Sequence, residues 1–506
     1  MVTRRDLLTS LSVGAAASSL PTVFIDEALA QAARPRRRRI HELALNDPIV
    51  EAYRDGVRIL KERQGSAVSW QTVAAIHGSE AGFNRCPHGN WYFLPWHRAY
   101  LVMYEQILRD VTGDASFALP YWDWTSDRAL PEHFTSPTYN GRPNALFEEQ
   151  RYMEAREEIP EEFVGSNLFQ QIYDETDFEL FGTTRARGQN STDASWIGRN
   201  GNKAPLEGQA HDSVHGIVGA SRGGQNGLMA SSLSALDPIF WLHHCNIDRI
   251  WAVWNQRGGQ NTTNALWLNM TFANHFLRPN GQSYSATVRG LQEILPLGYR
   301  YGLGGQDPAR PDQGDVVAMA FETVSQSRTR TLGAAPPAAK FKTDNTRAAE
   351  AGQPLEIAVA ATRSVVGGAL AAPATRSATR SATGAAVRSG KRVLALINDF
   401  QQPAGATTAV RVFVNGDGIS AATPISDASY VGTFGFFGGK HVGGAGHPTG
   451  HGGSSLIVDL TKTLQRLQAS GKPLSDNIRV QLVPVSVSRS AQPTPVTPAS
   501  VEIIVV

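Results

Sequence analysis

Eight of the chain's thirteen histidines fall between His77 and His244, in segments that are otherwise apolar and aromatic. A buried imidazole costs free energy unless each ring nitrogen finds a partner. A chain that buries this many must gather them around something that uses their lone pairs, and few folds do so. The demand is sharpest in "DPIFWLHHCNIDRIWAVW", residues 237–254, where two adjacent histidines sit in a helical pattern. Successive side chains on a helix point about 100° apart, so His243 and His244 cannot share a face.

Spacing sorts the histidines. "AHDSVH" puts His211 and His215 four apart, on one helix face and within reach of one ion. A zinc-protease helix shares this spacing but needs Glu directly after the first histidine. Asp212 stands there instead, and no third ligand follows at protease spacing. His244 lies four residues after Phe240 and four before Asp248. Asp248 is therefore expected to accept from the second ring N–H of His244 and fix its tautomer. His243 is expected to pack or to hydrogen-bond. "IHG" and "CPHGNWYFLPWHRAY" supply His77, His88 and His97, the last heading a helix whose apolar face runs through Leu101, Tyr104 and Leu108. Two three-imidazole sets with no cysteine cluster suit copper, or less specifically zinc. Two neighbouring copper ions with open positions can clamp both atoms of O2 between them.

The rest of the chain frames this constellation. A length of 506 residues predicts two domains. Helical patterning runs from about residue 39, with "DPIVEAYRDGVRILKER" opening on an Asp-Pro start signal. The long polar stretch 125–209 predicts loops around a site, with one helix at "SNLFQQIYDETDFELF". Residues 346–390 read as a flexible linker, centred on three copies of "ATRS" at Ala361, Ala374 and Ala378. Beyond it, "RVLALIN", "AVRVFVNG", "YVGTFGFF", "SSLIVDL", "IRVQLVPV" and "VEIIVV" predict a β-sandwich-like domain over 391–506.

At the N-terminus "TRRDLL", a mild apolar run and "ALA" at 28–30 form a twin-arginine export signal, predicting release into the periplasm or medium. The run is too weakly apolar for a membrane span. The arginines Arg34 to Arg39 read as a solvated tether. A formal net charge of +2 gives no reason to expect nucleic acid. The two cysteines, Cys86 and Cys245, allow at most one bridge.

"CPHGNWYFLPWHRAYLVMYE", "FALPYWDW" and "DPIFWLHHCNIDRIW" together resemble the binuclear type-3 copper family of tyrosinases, catechol oxidases and molluscan haemocyanins. The likeness covers residues 40–255. The later "VRVFVNG" and "YVGTFGFFGGKH" resemble the β-rich shielding domain of plant-type polyphenol oxidases. The resemblance implies a four-helix-bundle copper domain over 39–345 and a C-terminal β domain over 391–506. It implies two copper ions, with His77, His88 and His97 on the first and His211, His215 and His244 on the second. O2 would be the co-substrate and small phenols the substrates.

It further implies a thioether from Cys86 to His88; a buried free thiol and a bridge to Cys245 are the alternatives. Phe240 corresponds to the aromatic gate over the second copper, and Gly216 would leave that entrance open. Glu207 matches the plant-type position of a carboxylate that holds a water. Asp212 replaces the family's Asn after the fourth histidine, which leaves monophenol hydroxylation less secure than diphenol oxidation. An Asp near a substrate amine would instead favour o-aminophenols. A shielding-domain plug is expected at Phe436 or Phe437, so the enzyme would be latent until the linker is cut. A reversible oxygen carrier is the alternative outside enzymes, and the oligomeric state is left open.

Overall fold

The structure is a computed structural model that describes residues 34–189, 198–301, 337–371, 391–401, 403, 407–438, 454–487 and 492–506, with the backbone alone of 375–376 and 388–389. The export signal, most of the "ATRS" segment and the histidines of 441–451 lie outside the described residues.

Four helices form the core of the first domain. Helix α1 spans Pro48–Glu62; Asp47 caps it, its side chain accepting from the Ile49 amide at 2.9 Å, and Pro48 fills the first turn. Helix α2 spans Phe93–Thr112 and stops at Gly113, whose φ of 71° suits a residue without Cβ. Helix α3 spans Asp212–Gly219 and follows a wide π-helical turn over Pro205–His211. Helix α4 spans Ile239–Gln256. Both α1 and α4 pack on α2. At Gly56 a Cβ would lie 2.5 Å from Leu108 Cδ2, so a larger residue would force that leucine to shift where α1 packs on α2. The core between them is aromatic: Tyr104 stacks on Trp241 at 3.7 Å between centroids, and Trp96, Trp122, Trp124, Trp251 and Trp254 are fully buried.

The Arg34–Arg39 stretch is not a solvated tether. Arg36 and Arg37 pair in parallel with Arg300 and Tyr301, and Arg37 is 0 % exposed. Its guanidinium donates to Glu105 Oε2 at 3.0 Å, to Asp248 Oδ2 at 3.2 Å and to the Tyr301 hydroxyl at 2.9 Å. Asp248 also accepts from Arg98 Nε at 2.6 Å and from the hydroxyls of Tyr299 at 2.7 Å and Tyr301 at 2.5 Å. These charges hold Asp248 below the ordinary carboxylate range despite its burial.

The second domain is two packed sheets with the chain's second apolar core between them. In chain order its strands are β1 (Asn202–Lys203, lent by the first domain), β2 (Ala339–Asp344), β3 (Leu355–Ala360), β4 (Val393–Phe400), β5 (Thr408–Val414), β6 (Tyr430–Gly435), β7 (Ser454–Asp459), β8 (Asn477–Ser486) and β9 (Ser500–Val505). One sheet runs β2-β9-β4-β7-β1 and the other β3-β8-β5-β6. All six strands expected from the sequence form. Helix α5 (Arg363–Ala371) and helix α6 (Thr461–Ala469) flank the sheets.

The linker expected over 346–390 is therefore too long. Its first part is β3 and α5, and Leu355, Ile357 and Val359 alternate into the core. The alternation lay in the sequence, but the Ala, Thr, Ser and Arg composition that follows obscured it.

The two domains share more than a surface. Leu180 and Ala204 of the first cluster with Leu394, Ile457 and Ile504 of the second. Arg392 donates to both Glu175 oxygens at 3.0 and 2.6 Å, and Arg411 grips Glu162 at 3.0 Å through two nitrogens.

Candidate metal centre

Two groups of potential ligands face each other in the first domain. One holds His77, Cys86, His88 and His97; the other holds His211, His215, His243 and His244. Within each, the ligand atoms lie within 4.8 Å of one another, and all eight residues are buried. The groups adjoin: His97 and His244 stack at 4.1 Å between centroids with planes 5° apart, and His88 and His211 lie 5.4 Å apart. Helix α2 carries His97, α4 carries His243 and His244, and α3 with its preceding turn carries His211 and His215. His77 follows the short helix Trp70–Ala74. His88 lies in the loop before α2.

The hydrogen bonds fix the tautomers. Nδ1–H of His97 donates to Phe93 O at 2.8 Å, that of His215 to Met229 O at 2.6 Å, and that of His77 to Ser232 O at 3.4 Å. Nδ1–H of His211 donates to Asp212 Oδ1 at 2.8 Å. Each of these rings then presents an Nε2 lone pair inward. For His77 and His211 that Nε2 is buried and meets no partner among the described residues. Such orphaned acceptors, each in a group whose ligand atoms lie within 4.8 Å of one another, fit a metal ion. Burial pushes His77, His88, His211, His215 and His244 well below the ordinary imidazole range, and His97 to about 3. All are thus neutral near pH 7, the form that binds metal.

His243 sits in the second group but is committed elsewhere. Trp124 Nε1–H donates to its Nδ1 at 3.1 Å, which places the remaining proton on Nε2 and removes the lone pair from that side. His244 turns Nε2 toward His215 Nε2, 3.4 Å away, while its Nδ1 has no partner among the described residues. The expected bond from His244 to Asp248 is absent. The two share a helix face, but two buried arginines and two tyrosines from distant segments claim the carboxylate instead.

Aromatic rings close the site. Phe240 lies 4.9 Å from the His77 ring and 4.3 Å from that of His244. Phe437 reaches in from beyond the end of β6, stacks on His215 at 3.9 Å, and meets His88 at 5.0 Å and His211 at 5.4 Å. Of the two phenylalanines offered by the sequence, it is the one that lies against the histidines. Phe436 faces away into the second core against Phe400, 5.3 Å distant. At Gly438, with φ +95°, a Cβ would lie 2.6 Å from Phe83, so glycine lets the loop after Phe437 seat.

Against known proteins, residues 67–193 and 143–257 match the common central domain of tyrosinase. The first domain is thus similar to the central domain of the type-3 copper tyrosinases and polyphenol oxidases. Residues 346–502 match a domain of unknown function (DUF7868). A tyrosinase, HcTyr1, of Hahella sp. (strain CCB-MM4) is 28% identical over 89% of this chain and 95% of its own length. The (+)-larreatricin hydroxylase of Larrea tridentata is 30% identical over 53% of this chain, which spans 49% of that protein. The structure of latent apple tyrosinase superposes over 94% of this chain and 97% of its own, with a TM-score of 0.61 at 19% identity, and so shares the two-domain fold.

Three polar residues lie behind the family's histidines rather than among them. Glu207 is fully buried; Oε1 accepts from the Gly89 amide at 2.8 Å, beside His88, and Oε2 accepts from the Thr183 hydroxyl. Asp212 does not face a substrate. Its Oδ1 takes the His211 proton, and its Oδ2 takes Lys203 Nζ at 2.6 Å. Burial raises its carboxyl to about 7 even with that lysine beside it. Lys203, 4 % exposed, also lies 3.7 Å from Glu207. The sequence reading missed it, since a lone lysine in "GNKAPLEG" looks solvated. Only the need of a buried Asp212 for a cation could have pointed to it.

Cys86 and Cys245 are both free and buried, so no bridge joins them. Cys86 Sγ lies 3.8 Å from His88 Nε2 and 3.4 Å from His97 Nε2.

Proposed function

We propose that this chain is a latent phenol oxidase that holds two copper ions and uses O2 to oxidise o-diphenols to o-quinones, with hydroxylation of monophenols as a second activity of the same site. The observation that carries this is the pair of buried imidazole groups, in which His77, His97, His211 and His215 engage their Nδ1 protons outward and turn their Nε2 lone pairs inward. The first ion would take His77, His88 and His97, and the second His211, His215 and His244. Bound, the copper pair supplies oxygen binding and two-electron chemistry.

The chain's own groups do the rest. Carbonyls of Phe93, Ser232 and Met229 and the Asp212 carboxylate hold the rings in register. Phe240 offers an aromatic wall beside His244 for a phenol ring. Phe437 occupies the space over His215 where that ring would lie and keeps water and phenol out. The o-aminophenol reading loses its support, because both Asp212 oxygens are taken by Lys203 and His211.

The test is metal analysis and catechol oxidation on one preparation. Wild type should hold two copper equivalents and oxidise catechol once the C-terminal domain is cut away. His211→Ala should retain one equivalent and lose turnover by at least about a thousandfold. Two bound equivalents with no quinone from either form would mark an oxygen carrier and end the enzyme reading.

Cys86 Sγ, 3.8 Å from His88 Nε2, supports the thioether to His88; its formation would remove the thiol hydrogen and one ring hydrogen, with O2 as the two-electron acceptor reduced to hydrogen peroxide. Intact-mass measurement after copper loading should show a loss of two hydrogens and a Cys86 that no longer reacts with thiol reagents. An unchanged mass and a reactive Cys86 would refute it. The "TRRDLL" motif supports export by the twin-arginine route, in keeping with a protein that loads metal before crossing a membrane. No described helix is long and apolar enough to span one.

A further inference from the structure

Resting on that assignment of the second copper, we infer that Lys203 is a positioning residue for His211, and that the C-terminal domain sets Lys203 through strand β1.

The chain of contacts is short and buried throughout. Lys203 Nζ donates to Asp212 Oδ2 at 2.6 Å, and Asp212 Oδ1 accepts from His211 Nδ1 at 2.8 Å. The lysine thus fixes the carboxylate that fixes the imidazole. A carboxylate behind a ligand histidine orients its ring and raises its donor strength, and loss of such a partner costs metal affinity. Lysine also offsets the burial of two carboxylates, since Glu207 lies 3.7 Å from the same Nζ.

What holds Lys203 in place comes largely from the other domain. Strand β1 is two residues long, too short to persist alone. It is the outer strand of the five-stranded sheet, with Asn202 opposite Ser455 and Lys203 opposite Leu456 in parallel register. Asn202 Nδ2 donates to Leu456 O and to Asn398 Oδ1, each at 3.1 Å. Within the first domain, Thr184 and an isolated bridge to Thr183 are its remaining backbone supports. The turn that follows is pressed from the same side: a Cβ on Gly208 would meet Phe434 at 3.1 Å and Leu456 at 3.4 Å. The C-terminal domain therefore shapes the second copper site from behind while Phe437 covers it from the front. Cutting that domain away opens the entrance and also loosens Lys203.

The experiment titrates full-length apo-protein with Cu(I) against a competing chelator and resolves the two equivalents. Wild type should bind two; if it binds none, the copper assignment fails and this inference with it. Given two, Lys203→Met should weaken one equivalent by about 10- to 100-fold and leave the other unchanged. Lys203→Arg should restore that equivalent to within about threefold, since it keeps a buried donor to Asp212. Asn202→Ala, which removes only the anchors to Leu456 and Asn398, should weaken the same equivalent by about threefold or more. In an Asp212→Asn background, Lys203→Met should cost nothing further, because the lysine acts through that carboxylate.

Three results would overturn the inference. One is a Lys203→Met protein binding both equivalents like wild type. Another is equal weakening of both, which marks a general loss of structure. The third is the same cost in the Asp212→Asn background as in wild type. Should Lys203→Met fail to fold, Asn202→Ala decides alone: wild-type affinity at both equivalents would refute the coupling.

Discussion

Replacing Phe437 by alanine should raise catechol oxidation by the uncut, copper-loaded chain at least about tenfold. The ring stacks on His215 at 3.9 Å and touches His88 and His211, so it fills the place of a substrate ring. Burying a phenylalanine side chain is worth about 1.5–3 kcal/mol. That free energy holds the plug in, and its loss shifts the open fraction by about 10- to 100-fold. The ion pairs from Arg392 to Glu175 and from Arg411 to Glu162 still dock the domain, so the variant should remain folded and elute as wild type does. Phe436→Ala makes the contrast. It leaves the plug in place and removes packing against Phe400 in the second core, at a cost of about 3–5 kcal/mol in that domain's stability. Initial rates on the purified chains, with a thermal scan of each, separate the two effects. Equal turnover for wild type and Phe437→Ala would show that access is limited elsewhere.

The sequence left Phe436 and Phe437 both open as the plug, though their parity differs. Phe434 and Phe436 are two apart, and extended chain puts such a pair on one face, here the second core. Phe437 has the other parity, and the strand has already ended at Gly435. The clustering of histidines was legible for a similar reason: helical spacing puts His211, His215 and His244 on faces that can meet, while His77 and His88 lie off the helices and were placed by the resemblance alone. The six C-terminal strands announced themselves by β-branched runs between turn residues. What stayed hidden depends on partners far along the chain. Strand β1 forms because Ser455 and Leu456 lie beside it, some 250 residues away, and nothing local in "GNKAPLEG" specifies a strand. Asp248 shows how a local rule is overruled. The four-residue spacing from His244 is real, but an ionised carboxylate in a dry core gains more from two guanidinium groups than from one neutral imidazole.

Asp248→Ala should be the most destabilising single change in the copper domain. The carboxylate is the meeting point of Arg37, Arg98, Tyr299 and Tyr301, and so ties the entering strand, α2, α4 and the segment at 299–301 together. Arg37 and Arg98 are both 0 % exposed. Arg37 keeps Glu105 after the substitution, and Arg98 keeps the carbonyls of Leu291 and Gln292 and the face of Trp251, yet one buried positive charge loses its counterion. Breaking a buried pair this way costs about 3–5 kcal/mol. For a domain of this size that is a fall in melting temperature of about 10 °C. The same carboxylate predicts a pH dependence. Its folded-state value is depressed, so its stabilisation is complete above the unfolded carboxylate value of about 4 and is lost as pH falls through the lower folded value. Denaturant midpoints measured from neutral pH down through this range should fall for wild type. For Asp248→Asn, which cannot ionise, they should start lower and lack this component of the fall. If instead Asp248→Ala melted with wild type, the two arginines would have to be solvated in the folded protein, and the joining of these four segments would need another cause.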